Sequence, residues 1–149
     1  VAPSRGLGDV YKRQPEAFSA LFAFDEDATL EENVEAMTEA CEDVKTGEIT
    51  RAIKDSKDVH GNPIHDGDVI GIADGDLEVV SDSIEDATIR VLEAMDAEDA
   101  DTLTILAGED YSDEEFEALL ARIEEEFEDL EIDSHRGEQP LYPIVLSVE

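Results

Sequence analysis

The chain has 149 residues, 41% of them apolar, with 42 acids against 10 bases and a formal net charge of −32. That charge argues against nucleic acid and anionic membrane surfaces as partners. The apolar fraction suffices for a core, yet no run approaches the roughly 20 apolar residues of a membrane span, so membrane insertion is not expected. A single cysteine, Cys41, excludes an internal disulfide framework, and with no secretory signal in view the cytoplasm is the natural compartment.

Residues 1–14, VAPSRGLGDVYKRQ, differ in composition from the rest of the chain. They hold Arg5, Lys12 and Arg13 but one acid, Asp9. With neither a signal-peptide core nor helical periodicity, they read as a non-native leader, and residues 15–149 as a domain fragment of a longer protein, folded as one domain or two small lobes. Gly6-Leu7-Gly8 lacks the third glycine and the preceding strand of a dinucleotide loop.

Pro15 to Phe24 is a short apolar segment whose Phe18, Leu21, Phe22 and Phe24 are expected in a core. Thr29 opens a helix, with Glu32 completing a capping box. Leu30, Val34, Met37, Cys41 and Val44 recur at spacings of four and three, one apolar stripe expected to be buried. Gly47 is the expected stop. Glu48 to Asp55 reads as a strand, Lys57 to Ile64 as a turn, and Val69 to Ala73 as a second strand. Asp74-Gly75 then signals a hairpin into Leu77–Val80. The middle is thus a small antiparallel meander.

Ser83 caps a second long helix with Ile84, Thr88, Val91 and Met95 on its stripe. Leu103 to Ala107 is a nearly all-apolar strand of the kind buried on both faces. Ser112 and Glu115 form another capping box, and Phe116, Leu119, Leu120, Ile123 and Phe127 form the inner face of the helix it opens. Leu130 to Ile132 is a short strand. A loop from Ser134 leads to the last strand, Ile144 to Val148. This alternation predicts an α/β (α+β) fold, helices packed on a mixed sheet.

The phosphate-binding loop GxxxxGK[ST], HExxH, CxxC and GxSxG are all absent. His60 and His65 with Asp55, Asp58, Asp66 and Asp68 could be weighed as metal ligands, but their spacing fits no established loop, and a polar hairpin in an aspartate-rich chain accounts for them. Carboxylate pairs are too common here to single out a general acid and base. The C-terminal loop is more informative. His135, Arg136, Gln139, Leu141 and Tyr142 offer an imidazole, a guanidinium, an amide, an apolar side chain and a phenol in the least acidic run of the domain. They could form a partner interface. The plain alternative is a capped loop with Arg136 paired to a neighbouring acid.

LEENVEAMTEACEDVKTGEIT (Leu30 to Thr50), GDVIGIADG (Gly67 to Gly75), GEDYSDEE (Gly108 to Glu115) and HRGEQPLYPIVLSVE (His135 to Glu149) resemble the C-terminal region of FakA-type proteins, the ATP-binding subunits of fatty acid kinases, which are the DhaL-domain or dihydroxyacetone-kinase-like proteins. Glu138 departs from the pattern, standing where a second glycine is expected after Gly137. The resemblance implies a DegV-like fold and a non-catalytic role: docking the fatty-acid-carrying subunit, so that an upstream kinase domain can phosphorylate the acyl carboxylate. It places ATP and magnesium in that upstream domain, with no cofactor or metal here, and implies a parent able to form a homodimer. A lipid-binding module that holds an acyl chain itself is the alternative. An independent enzyme is disfavoured by the missing motifs.

Overall fold

The computed structural model describes residues 7–58 and 60–149; Arg5, Gly6 and Val59 lie outside them. The chain divides into two compact units, Val1–Lys45 and Thr46–Glu149.

The first unit is a helix pair, α1 (Leu7–Phe22) and α2 (Leu30–Asp43). α1 runs through Pro15, so a helix spans the composition change and the reading of residues 7–14 as non-helical is corrected. Thr29 and Glu32 form the expected capping box. The carboxylate of Glu32 accepts from the Thr29 amide and hydroxyl, each at 2.8 Å, which holds its pKa below the usual value. The turn between the helices is closed by Asn33, which is buried: its side chain accepts from the Asp25 amide and donates to the Asp25 carbonyl. Cys41 is half-buried, its thiol donating to the Glu16 carbonyl at 3.3 Å. The apolar residues expected in a core here are largely on the surface. Leu30 is 80% exposed, Val34 57% and Phe22 91%, and Phe18, Leu21 and Phe24 are exposed as well. A 3.6-residue period shows that a face is apolar, not that anything covers it.

The second unit is a six-stranded mixed sheet with two helices on one face. Its elements are β1 (Lys45–Arg51, reaching back one residue), β4 (Val69–Ala73), β5 (Asp76–Ser81), α3 (Ile84–Ala94), β6 (Thr102–Ala107), α4 (Asp113–Glu126), β7 (Glu131–Arg136) and β8 (Ile144–Val148). A two-residue pairing of β2 (Ser56–Lys57) with β3 (Pro63–Ile64) sits between β1 and β4. The strand order is β5-β4-β1-β8-β6-β7. β1, β4 and β5 are antiparallel, as the meander predicts, and the Asp74-Gly75 turn has positive φ at both residues, the geometry of a tight hairpin. β6 and β7 are parallel across α4, and β8 is antiparallel to β6.

One core joins the elements. Ile49, Val69, Leu103, Ile105, Ile144 and Leu146 project from the same face of the sheet onto Ala87, Val91 and Leu92 of α3 and Phe116, Leu119 and Ile123 of α4. Gly47 is not a helix stop. It lies inside β1, where a Cβ would come within 2.8 Å of Val91 Cγ1 and Leu146 Cδ1, so packing of α3 and β8 demands glycine there. β6 alternates between buried and half-buried residues and is therefore not buried equally on both faces. β7 is longer than expected and places His135 and Arg136 at the end of a strand, not in a loop. It was hard to see because an edge strand with polar residues on both faces has no alternation to read. Arg122 ties the two helices together, reaching Glu85 of α3 at 3.0 Å and Glu126 of its own helix at 2.9 Å. These contacts raise its pKa further, the Glu126 hydrogen bond contributing most.

Candidate functional site

The C-terminal ends of β1 and β6 and the segment entering β8 meet at one end of the sheet. Open α/β sheets place ligand sites outside the carboxyl ends of strands, and here they enclose a cleft of about 630 Å³, within the usual size range of ligand pockets. Thr50 to Lys54 form one wall, Gly108, Asp110 and Tyr111 another, and Gln139, Leu141, Tyr142 and Pro143 the third.

The third wall is held by backbone and side-chain hydrogen bonds. The Gly108 amide donates to the Pro143 carbonyl at 2.8 Å and the Glu109 amide to the Gln139 carbonyl at 3.2 Å. A Cβ on Gly108 would lie 2.9 Å from the Gln139 carbonyl oxygen, so the two segments pack backbone to backbone. Gln139 is 2% exposed; its Nε2 donates to the carbonyls of Leu106 and Tyr142, while its Oε1 is buried without a hydrogen bond. Arg136 completes the brace. Its Nη1 donates to the Tyr111 carbonyl at 2.6 Å, its Nη2 to the Gly108 carbonyl at 3.1 Å, and Asp113 lies 3.5 Å away.

Leu141 is the odd residue of this wall. Its φ is +71°, in the left-handed region that costs a residue with a Cβ roughly 1–2 kcal/mol. Thr50 Oγ1 of β1 fixes it there, donating to the Leu141 carbonyl at 2.8 Å. The side chain so held is 72% exposed, and across the cleft Ile53 is 88% exposed. Glu138, at φ +51°, is a second left-handed residue, at the position where the family pattern leads one to expect glycine. Burial raises the Tyr142 phenol above its usual pKa, with Glu48 adding to the shift. Burial also pushes Tyr111 up to about 12, with Glu115 and Glu85 contributing. Both phenols are therefore neutral hydrogen-bonding groups near neutral pH. Arg51 and Lys54 give the first wall a positive rim, and neither has an acidic partner among the described residues; Asp110 faces the cleft from the second wall.

Three of the five residues expected at a partner interface, Gln139, Leu141 and Tyr142, line this cleft; His135 and Arg136 do not. His135 contacts Asp133 at 2.8 Å on the exposed edge strand. Arg136 is the paired residue of the plainer alternative, although its strongest bonds go to carbonyls. Sequence reasoning missed Ile53, Arg51 and Lys54. They read as strand, whereas β1 ends at Arg51 and leaves the rest at the mouth of the cleft. No group of three or more His, Cys, Asp or Glu is placed to hold a metal among the described residues. Asp58 of the His60–His65 region spends its carboxylate on the amides of His60 and Asn62 and on the Asn62 side chain, which lowers its pKa, the Asn62 side chain contributing most. Nor, among the described residues, is any helix long and apolar enough to cross a membrane.

Comparison with known proteins decides the family. The FakA-like C-terminal family, named for one of the subunits of fatty acid kinase, matches residues 11–149. The chain belongs to that family. Protein YloV of Bacillus subtilis is 38% identical over 138 residues, covering 93% of this chain and 25% of YloV. An uncharacterized protein of Staphylococcus haemolyticus is 38% identical over 136 residues, covering 91% of this chain and 24% of that protein. One from Staphylococcus aureus strain USA300 is 37% identical over 139 residues, covering 93% of this chain and 25% of the relative. The chain therefore spans about a quarter of the length of these relatives. The family match includes the α1 residues from position 11 onward.

Proposed function

We propose that this FakA-like C-terminal domain is a non-catalytic docking domain, and that its cleft receives the fatty-acid-carrying subunit of a fatty acid kinase. On this reading ATP and magnesium are bound by a kinase domain elsewhere in the longer protein, which phosphorylates the acyl carboxylate that the carrier presents. The observation that carries the reading is Leu141: an apolar side chain held in a strained backbone conformation, exposed, and pinned by a hydrogen bond from β1. Backbone strain enforced by its surroundings clusters at ligand clamps, and Leu141 and Ile53 together present apolar surface at the mouth of the cleft. The neutral tyrosines and the amide-braced wall supply rigid backing, so that little ordering entropy is lost on contact. Titration of the chain with an acyl-loaded carrier, followed by calorimetry, tests this: saturable binding supports it, and absence of binding to a folded chain refutes it.

A second reading gives the same cleft to the acyl chain itself, in the manner of a DegV-like lipid-binding module. Its support is the cleft volume together with the rim of Arg51 and Lys54, which suits a carboxylate. Titration with a free fatty acid separates the two, because the docking reading predicts no heat without the carrier.

A further inference from the structure

Leu141 stands in a bend whose ends are fastened without it. On one side the Gln139 carbonyl accepts from the Glu109 amide. On the other, the Pro143 carbonyl accepts from the Gly108 amide and the Tyr142 carbonyl from the Gln139 side chain. Leu141 itself is reached from β1, its carbonyl accepting from the Thr50 hydroxyl at 2.8 Å. A proline followed by a residue of positive φ, here Pro140 and Leu141, is the pattern of a turn whose second central position ordinarily takes glycine or asparagine. Leucine in that position gains little burial in return, since its side chain is 72% exposed.

Thr50 is well placed to give that bond. It is the penultimate residue of β1, with its backbone in register with Ile70 of β4. Its side chain is β-branched and therefore stiff about χ1. The hydroxyl is thus aimed by the sheet and not by the bend. The net gain from one such hydrogen bond and the cost of a left-handed backbone at a residue with a Cβ are of like size, so two backbone states of Leu141 lie close in free energy. We infer that Thr50 is a positioning residue of the cleft: its hydroxyl selects the left-handed state of Leu141, and with it the presentation of the leucine side chain across from Ile53. The backbone role stands alone; its consequence for binding rests on the carrier reading above. A partner that uses Leu141 meets a chain whose competent state is populated only as far as Thr50 populates it.

The test uses the full chain with Thr50→Val, which keeps the branched shape and removes the donor, and Thr50→Ser, which keeps the donor. The first readout needs no partner. It is the intraresidue amide–Hα nuclear Overhauser effect at Leu141, which is strong when φ is positive and weak in the extended and helical regions. Wild type and Thr50→Ser are expected to show the strong effect, and Thr50→Val to lose it. The second readout is calorimetric titration with an acyl-loaded carrier subunit. Thr50→Val should weaken binding about fivefold, and Thr50→Ser should stay within about twofold. The unfolding temperature of Thr50→Val should stay near that of wild type, because relief of the left-handed backbone offsets the lost bond. In a Leu141→Gly background, Thr50→Val should change affinity by less than about twofold, since the side chain it positions is gone. Thr50 does not act through Leu141, and the inference is overturned, if Thr50→Val keeps the strong effect at Leu141. The same follows if Thr50→Ser loses as much affinity as Thr50→Val, or if Thr50→Val costs as much in the Leu141→Gly background as in wild type. Should the folded wild-type chain not bind the carrier, the docking reading fails, and the first readout alone decides the role of Thr50.

Discussion

Arg136 offers the sharpest test of how the cleft is built. Sequence alone makes it a candidate contact for a partner, but its guanidinium is spent inside the chain on the carbonyls of Tyr111 and Gly108. Arg136→Met keeps most of the alkyl stem and removes the donors. Each hydrogen bond from a charged donor contributes roughly 1.5–3 kcal/mol when well shielded, and less here because the side chain remains about one-third exposed. The Gly108 carbonyl retains the Tyr111 amide at 3.3 Å, so only the Tyr111 carbonyl is left without its donor. The expected loss is therefore about 2 kcal/mol, below the sum of two full bonds. Asp113, 3.5 Å from Arg136 and 82% exposed, should contribute little, so Asp113→Asn should cost less than about 0.5 kcal/mol. Urea unfolding followed by circular dichroism measures both, and 2 kcal/mol corresponds to a midpoint shift of roughly 1 M for a domain of this size. If Asp113→Asn costs as much as Arg136→Met, or if Arg136→Met leaves the midpoint in place, the carbonyl brace is the wrong account of this residue.

Three further outcomes rest on the same geometry. Ser112→Ala removes the side chain that accepts from the Glu115 amide and should cost about 1 kcal/mol in urea unfolding, because α4 covers part of the core. Gly71→Ala drives a methyl group against Val91 Cγ2 and Val79 Cβ between β4 and α3 and should cost about 1–3 kcal/mol, measurable by thermal unfolding. Tyr111 titrates at about 12 in the fold against 10.0 for an unperturbed phenol, so the folded state keeps its proton longer. Its contribution is complete below pH 10.0 and is lost as pH rises toward about 12, up to about 2 kcal/mol. Urea midpoints across that window should fall, and Tyr111→Phe should flatten the fall, leaving the smaller slope of the same sign expected from Tyr142.

How much of this was legible beforehand depended on the range of the interaction. Both capping boxes, the Asp74-Gly75 hairpin and the β8 strand rest on neighbours within a few residues, and the structure reproduces them. Gly47 misled because glycine has two common uses, and only the distant side chains of Val91 and Leu146 show which one applies. The later part of β7, Asp133 to Arg136, escaped because its stability comes from backbone pairing with β6, to which its polar side chains add no pattern. Leu30 and Val34 show the limit of periodicity, which defines a face and not its cover. Of the cleft, the C-terminal wall was visible as Gln139, Leu141 and Tyr142. The opposite wall was not, because Thr50 meets Leu141 only through the fold, 91 residues along the chain. The left-handed Glu138 fits a position where glycine is expected, while nothing in the sequence marked Leu141 as left-handed.

The measurement that bears most directly on the proposed docking role is calorimetric titration of this domain and its Leu141→Gly variant with an acyl-loaded carrier subunit. Glycine adopts the left-handed backbone without strain, so the variant should unfold at the same temperature or a slightly higher one. It loses the exposed side chain, so carrier affinity should fall by about tenfold or more. Stability kept and binding lost is the result the account predicts. A folded wild-type chain that does not bind the carrier, or a Leu141→Gly variant that binds it as tightly as wild type, would contradict it.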